Sequence, residues 1–421
     1  MLLIWSAHVE RATALRKVCG LSLVKRAALA GEAAGFERIA VAVLPGDADA
    51  FTAELTDARF HRSPEVFEIA SAPAAQLAHL SKIWPGREIA VALVDRVFTG
   101  PTLKALAAPL GGDELGRVVA GPAPDAPWSG LARVRMADLG AVPSDGEATG
   151  AQAIAALGRS GGEGAGSIVT ASEGVAWRRV AGPGDVREAE TVLLRALVKA
   201  ADGVISRHVN RKISLFLSRR LSRTSVLPNH VTAAVFLVGV ASGPLAFFLG
   251  GYAGFALGAL CYYVSAILDG CDGEISRLKY QGSPLGAWLD TVVDDTVCLS
   301  YLLGMYPRLA LDAGGAFWWW MGGVGVLFYL LTVLPRYWVM ATRLKSGDFQ
   351  KLAAKRKPAP KELTALGRAV EAVRSVIFRT DFLPFYAFAT AAVGFVPAFA
   401  IPFALGSVAS AVDTAMTILE K

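Results

Sequence analysis

The sequence predicts an α/β domain over residues 1–200, followed by an all-α membrane domain of six transmembrane helices over residues 201–421. Three observations carry this expectation. Charged residues make up only 19% of the 421 and are nearly absent from long runs after residue 231. The first 200 residues instead alternate β-type apolar runs with helix-type runs, the pattern of a layered α/β fold. Finally, four aspartates stand at the edges of two apolar runs, where a bilayer does not tolerate unpaired charge.

Within the first domain, Ser22 to Ala34 reads as a helix and Arg38 to Val43 as a strand. Glu88 to Val94 is a second apolar strand, followed by a helix near Pro101 to Ala107. Residues 141–167 are rich in Gly, Ala and Ser and are expected to form a loop or insertion. Met1 to Ala7 is too short an apolar run for a signal peptide and lacks a basic start. The cysteines Cys19, Cys261, Cys271 and Cys298 show no metal-binding spacing and are expected to be reduced and structural.

The spans follow in order. Val231 to Leu249 is uncharged for 19 residues, Gly251 to Leu268 for 18, and Ala313 to Pro335 for 23. Phe382 to Val412 is uncharged throughout and is expected to divide at Pro397 and Pro402 into two spans. Ala287 to Tyr306, which bears aspartates, completes the six. Crossing a bilayer core of roughly 30 Å takes about 20 apolar residues. A buried soluble helix would explain any single run, but six in series argue against it.

Lys and Arg placement sets orientation. Arg207, Arg211, Lys212, Arg219, Arg220 and Arg223 precede the first span, and Arg277 and Lys279 occupy the loop after the second. Nine basic residues lie between Arg343 and Arg374, whereas the opposite side shows only Arg308. Both termini and the aspartate hairpin are therefore expected on the cytoplasmic side of a multi-pass cell (inner) membrane protein. Trp318, Trp319, Trp320 and Trp338 suit the two interfaces of the fourth span. The formal charge of +6 fits contact with anionic membrane lipid. The basic residues flank spans and no recognition motif appears, so no nucleic-acid partner is expected. A homodimer is expected.

Asp269 and Asp272 are three residues apart, and Asp290 and Asp294 are four apart. On helices each spacing puts both carboxylates on one face. A helical hairpin joined by a short basic loop would gather both pairs. Four bare carboxylates repel one another and resist desolvation, so cations are needed to hold them together. Oxygen ligands with no His or Cys nearby point to Mg2+ or Mn2+.

The segment Asp269-x-x-Asp272-Gly273-x-x-Ser276-Arg277, followed after eight residues by Gly286-x-x-x-Asp290-x-x-x-Asp294, resembles the signature of the CDP-alcohol phosphotransferase family. It fixes seven positions over 26 residues. Ser276 departs from the family's usual Ala, a small-for-small change. The resemblance implies attack of an acceptor hydroxyl on a CDP-alcohol with release of CMP, assisted by two Mg2+ or Mn2+ ions. It implies Asp269, Asp272, Asp290 and Asp294 as metal ligands, with Asp294 also the general base. It further implies nucleotide contact at Gly273, Gly286 and Arg277. Asp295 points about 100° away from Asp294 around a helix and is read as non-catalytic. Glu274 is expected to pair with Lys279 or face water.

The first domain resembles sugar-phosphate nucleotidyltransferases in worn form. Lys17 to Arg26 looks like the segment after the nucleotide loop, and Val94 to Phe98 like the strand end that supplies a metal-binding aspartate, here Asp95. Trp177 to Asp185 looks like the segment that supplies a second aspartate, where this chain has Ala181. Trp5 to Arg11 stands where that family has its phosphate loop and contains no glycine. Backbone amides must approach phosphate closely there, which needs glycine. A degenerate, inactive domain is expected, with Lys17 and Asp95 serving the surface or the fold.

Such a domain ahead of Asp202 to Ser214, Leu227 to Thr232 and Leu268 to Glu274 resembles bifunctional enzymes of inositol phosphodiester synthesis. Those join an inositol-phosphate cytidylyltransferase to a CDP-inositol:inositol-phosphate transferase. The partners implied are a CDP-alcohol donor and a small alcohol or alcohol-phosphate acceptor. Asn229 either caps the first span or contacts nucleotide. Arg336, Arg343 and Arg379 either anchor the interface or bind an anionic acceptor. Two other functions remain open at this level. One is a phospholipid synthase that uses CDP-diacylglycerol. The other is a transporter or scaffold, which leaves the glycines and Arg277 at their spacing without explanation.

Overall fold

The computed structural model describes residues 1–69, 88–110, 114–120, 127–135, 149, 152–153, 155–156, 165–169, 176–198, 203, 205–344 and 382–419. The chain divides into two compact units. The first is Met1–Leu197 with Ser222–Thr224 and Leu278–Tyr280, and the second is Val198–Leu221 with Ser225–Arg277 and Gln281–Lys421.

The strands of the first unit are β1 (Leu2–Trp5), β2 (Lys17–Val18), β3 (Leu21–Ser22), β4 (Ile39–Val43), β5 (Glu65–Glu68), β6 (Glu88–Leu93), β7 (Arg96–Phe98), β8 (Glu114–Ala120), β9 (Trp128–Arg135), β10 (Ala165–Val169) and β11 (Trp177–Arg179). Seven form one sheet in the order β10-β8-β9-β6-β1-β4-β5. β1 pairs parallel with β4 and β6, while β9 runs antiparallel to β6 and β8. Leu2 to Ile4, Ala40 to Val43 and Ile89 to Leu93 are all buried, with no alternation. Continuous apolar runs of this kind mark strands covered on both faces. The helices are α1 (Arg11–Ala14), α2 (Leu23–Ala33), α3 (Ala48–Leu55), α4 (Gly100–Ala107) and α5 (Val186–Arg195). Ser22 caps α2, its hydroxyl accepting from the Lys25 amide at 3.3 Å. β10 corrects the end of the expected loop at 141–167, because Ala165 already pairs with β8. Most of that segment lies outside the described residues.

The second unit is helical. It contains α6 (Arg211–Ser222), α7 (Pro228–Val240), α8 (Gly251–Lys279), α9 (Pro284–Ala313), α10 (Ala316–Val339), α11 (Leu383–Ala392) and α12 (Pro397–Leu419). Among the described residues, four helical stretches are long and apolar enough to cross a membrane: Pro228–Leu249, Gly251–Lys279, Ala316–Thr342 and Pro397–Met416. α9 is 30 residues long but carries the aspartates, and α11 has only 10 residues, about 15 Å.

Several boundaries differ from the sequence expectation. α8 runs unbroken to Lys279, so Arg277 and Lys279 sit on its last turn and not in a loop. Tyr280, at φ 54°, ends it in the left-handed conformation. α12 passes through Pro402, and the chain breaks instead around Gly394 at φ 79°. Pro397 opens α12, where its missing N–H costs nothing. α10 likewise continues past Pro335 to Val339. Small residues set the packing of α9 against the short helical turn Ser242–Pro244 that follows α7. A Cβ at Gly304 would lie 2.1 Å from the Gly243 carbonyl oxygen, so the two backbones touch there.

Candidate active site

α8 and α9 bring the motif carboxylates together. Asp269 and Asp272 lie within α8, and Asp290 lies on the second turn of α9. One oxygen from each of these three falls within 4.8 Å of the others. Asp294, one turn further along α9, is outside that group but within hydrogen-bond reach of Asp269. Asp272 is the buried member, whereas Asp269 and Asp290 are half-buried and Asp294 is exposed.

The donor set fits a hard divalent cation. It offers carboxylate oxygens with no sulfur or imidazole in the group. Oxygens that share one Mg2+ at about 2.1 Å stand on the order of 3–4 Å apart. The observed spacing meets that need with small movements.

The polar neighbours are arranged around this group. The Arg277 guanidinium lies over Gly273, where an added Cβ would stand 3.6 Å from both terminal nitrogens. Its charge acts on both Asp272 and Asp290. The Ser283 hydroxyl caps α9 by accepting from the Gly286 amide at 3.0 Å. A Cβ on Gly286 would stand 3.1 Å from Ser283 Oγ and 3.7 Å from Asn229 Oδ1. Asn229 thus sits beside Gly286. It does not cap α7, because Leu227 occupies the cap position and Pro228 the first turn.

Three polar contacts have no counterpart in the sequence reading. Thr232 on α7 donates to Asp272 Oδ2 at 2.6 Å. It lies in the Leu227 to Thr232 segment, where its place one turn after Pro228 was the available signal. Asp295 accepts from Tyr329 and from Tyr337, each at 2.7 Å, on the side of α9 facing α10. Nothing in the spacing marked those two tyrosines among so many apolar neighbours.

Glu274 corrects its expectation. It is fully buried and accepts from Arg211 Nη1 at 2.8 Å and from Ser214 Oγ at 2.7 Å, both on α6. Arg336, on the last turn of α10, stands in the field of Asp295, Tyr329 and Asp413. Arg343 falls in the π-helical turn Met340–Leu344. Arg379 lies outside the described residues, as does most of the basic run after Arg343.

The first unit carries a buried ionic cluster at Asp95. His8 Nε2 stands 3.2 Å from Asp95 Oδ1, Arg96 Nε 3.3 Å from the same oxygen, and Arg179 Nε 2.9 Å from Oδ2. Burial by itself would raise the Asp95 carboxyl. The hydrogen bond to His8 and the charge of Arg96 outweigh it and hold the group at about 2. Arg96 lies between the Trp128 and Trp177 rings, 5.9 and 5.2 Å from their centroids. Gly130, at φ 81°, leaves room for it, since a Cβ there would meet Arg96 Cδ at 2.7 Å. At Ala181 the backbone amide donates to Asp185 Oδ2 at 2.9 Å.

Residues 225–365 match the family model described as CDP-alcohol phosphatidyltransferase, a stretch that contains all seven motif positions.

Curated relatives match part of this chain. A bifunctional IPC transferase and DIPP synthase of Archaeoglobus fulgidus is 40% identical over 149 residues, 34% of this chain and 29% of that protein. The protein of the same name from Thermococcus kodakarensis is 34% identical over 196 residues, 46% of this chain and 42% of its own. The chain thus spans less than half the length of each. Two solved structures each cover 48% of this chain at 12% identity and a TM-score of 0.36. They are a glucose-1-phosphate thymidylyltransferase from Bacillus anthracis and the inositol-1-phosphate CTP transferase from T. maritima. Three of the four long apolar stretches, Pro228–Leu249, Gly251–Lys279 and Ala316–Thr342, fall within the matched residues.

Proposed function

We propose that this chain is an integral-membrane CDP-alcohol phosphotransferase that moves a phospho-alcohol group from a CDP-alcohol to an acceptor hydroxyl and releases CMP. The observation that carries this is the meeting of Asp269, Asp272 and Asp290 beside Arg277, with Asn229 at Gly286. Seven motif positions scattered over two helices serve one small volume.

Asp269, Asp272, Asp290 and Asp294 would hold two divalent ions, Mg2+ or Mn2+. When bound, these ions neutralise the pyrophosphate and the leaving CMP. The chain's own residues do the rest. Gly273 and Gly286 lack side chains, so the nucleotide approaches the helix backbone. Arg277 offers a planar fork to phosphate. Asp294, exposed next to the cage, takes the proton of the acceptor hydroxyl as that oxygen bonds to phosphorus. The phosphorus–oxygen bond to CMP breaks, and CMP leaves with the electron pair. No covalent enzyme intermediate is needed.

In this reading the domain of 201–421 crosses the bilayer six times, with α9 and the α11 region adding to the four apolar stretches. Both termini and the cage face the cytoplasm, by the distribution of Lys and Arg. Domain 1–200 is a degenerate nucleotidyltransferase-like module that makes no donor, a reading supported by His8 and two arginines, Arg96 and Arg179, already occupying Asp95. Arg336, Arg343 and Arg379 would serve an anionic acceptor, and the chain would act as a homodimer. Relatives named for IPC transfer and DIPP synthesis favour a CDP-inositol-like donor and an inositol-phosphate acceptor. The alternative donor is CDP-diacylglycerol. Product analysis after offering labelled CDP-inositol and CDP-diacylglycerol separately decides between them. Release of CMP from neither, in the presence of Mg2+ or Mn2+ and candidate acceptors, sinks the proposal.

A further inference from the structure

We infer that Asp295, held between Tyr329 and Tyr337, is a positioning residue that fixes the rotation of α9 and thereby aims Asp290 and Asp294 at Asp269 and Asp272. The inference rests on the proposal that these four carboxylates form a metal cage.

α9 presents two polar stripes. Gly286, Asp290 and Asp294 recur every four residues and face the cage. Trp288, Thr291 and Asp295 form a second stripe, roughly 100–160° around the helix from Asp290. Tyr337 contacts all three members of that second stripe. Its hydroxyl lies 2.7 Å from Asp295 Oδ2 and 3.4 Å from the Thr291 carbonyl, and its ring centroid is 6.2 Å from that of Trp288. Tyr329 takes the other carboxylate oxygen at 2.7 Å and packs against Phe403 of α12, with centroids 6.1 Å apart. Both oxygens of Asp295 are thus committed to α10, and α10 is braced by α12.

Such a clamp answers a specific difficulty. The outward residues Leu285, Leu289 and Val292 are exposed and apolar. Lipid tails are as apolar as these side chains, so burial sets the rotation of a membrane helix only weakly. Repulsion among the cage carboxylates meanwhile favours turning Asp290 and Asp294 away. Two charge-assisted hydrogen bonds to one buried-side carboxylate resist that turn, because a rotation of even half a residue step breaks both.

Mn2+ binding to the full-length chain in detergent, followed by electron paramagnetic resonance, tests the clamp alongside CMP release. Asp295→Ala and the double variant Tyr329→Phe/Tyr337→Phe should each weaken Mn2+ binding by about tenfold or more, the range seen when the supports of metal ligands are lost. Both should lower kcat more than they raise the donor KM. Asp295→Asn keeps an oxygen for one phenol and should recover to within about tenfold of wild type in both readouts. The single variant Tyr337→Phe should fall between wild type and the double variant, and it decides the matter if either severe variant fails to fold. Wild-type Mn2+ affinity in the folded single and double variants, with only thermal stability lowered, overturns the clamp and leaves the cage intact. A wild-type chain that binds no Mn2+ overturns the cage itself.

Discussion

Thr232 Oγ1 stands 2.6 Å from Asp272 Oδ2 and 3.3 Å from the Pro228 carbonyl oxygen. The hydroxyl has one proton, and the shorter contact takes it. A residue of the first spanning helix therefore orients the buried carboxylate of the cage. In the proposed site it would leave the other Asp272 oxygen for a cation, as supporting hydrogen bonds do at metal sites generally.

Thr232→Val keeps the shape of the side chain and removes that donor. The metal concentration for half-maximal CMP release should rise by about tenfold or more. Thr232→Ser should restore it, and a metal titration of both variants checks this.

Alanine at Asp269, Asp272 or Asp290 should abolish transfer. Loss of one ligand leaves the other carboxylates and the pyrophosphate under-neutralised. CMP release that persists at full rate in excess chelator contradicts this.

Asp294→Asn keeps size and an oxygen but removes the base. Transfer should drop by about 10²–10⁴ while CDP-alcohol binding survives. Asp295→Asn should stay within about tenfold of wild type. Affinity and turnover measured for both variants test the assignment, and the reverse pattern would mean that the register of α9 is wrong.

The full-length chain should release no pyrophosphate from CTP with any sugar phosphate or inositol phosphate. Asp95 is ion-paired with Arg96 and Arg179 and contacted by His8, and Ala181 offers no carboxylate. Turnover with a single such pair, lost in Asp95→Asn, overturns this.

The same cluster predicts acid sensitivity of the first unit. Asp95 is held at about 2, below its ordinary value of 3.8. A depressed carboxyl contributes stability above its unfolded pKa and loses it as pH falls through the folded one. The contribution, about 2 kcal/mol at neutral pH, should vanish between pH of about 4 and about 2. Hydrogen exchange over Glu88–Phe98 should speed up across that window in wild type. In Asp95→Asn it should already be fast at neutral pH, since Arg96 and Arg179 then lose the carboxylate that neutralises them.

The sequence by itself determined the two-part organisation and the identity of the candidate cage. Apolar runs free of charge reveal membrane helices because the bilayer penalises each charge on its own, without reference to the fold. The spacing of Asp269, Asp272, Asp290 and Asp294 is legible because helix periodicity converts sequence distance into a shared face. Helix ends were read less well. Pro402 and Pro335 look like breaks but are accommodated, whereas Gly394 makes the break. A proline's lost hydrogen bond can be replaced by neighbouring helices, and that is a property of packing. Only the tertiary structure decided that Thr232 serves Asp272, that Glu274 turns inward to Arg211, and that Asp295 is clasped by Tyr329 and Tyr337. Each contact joins residues 34 to 63 positions apart in the chain. Local spacing has no bearing on such pairs. They exist because a polar group inside an apolar bundle must find its partner wherever the fold brings one.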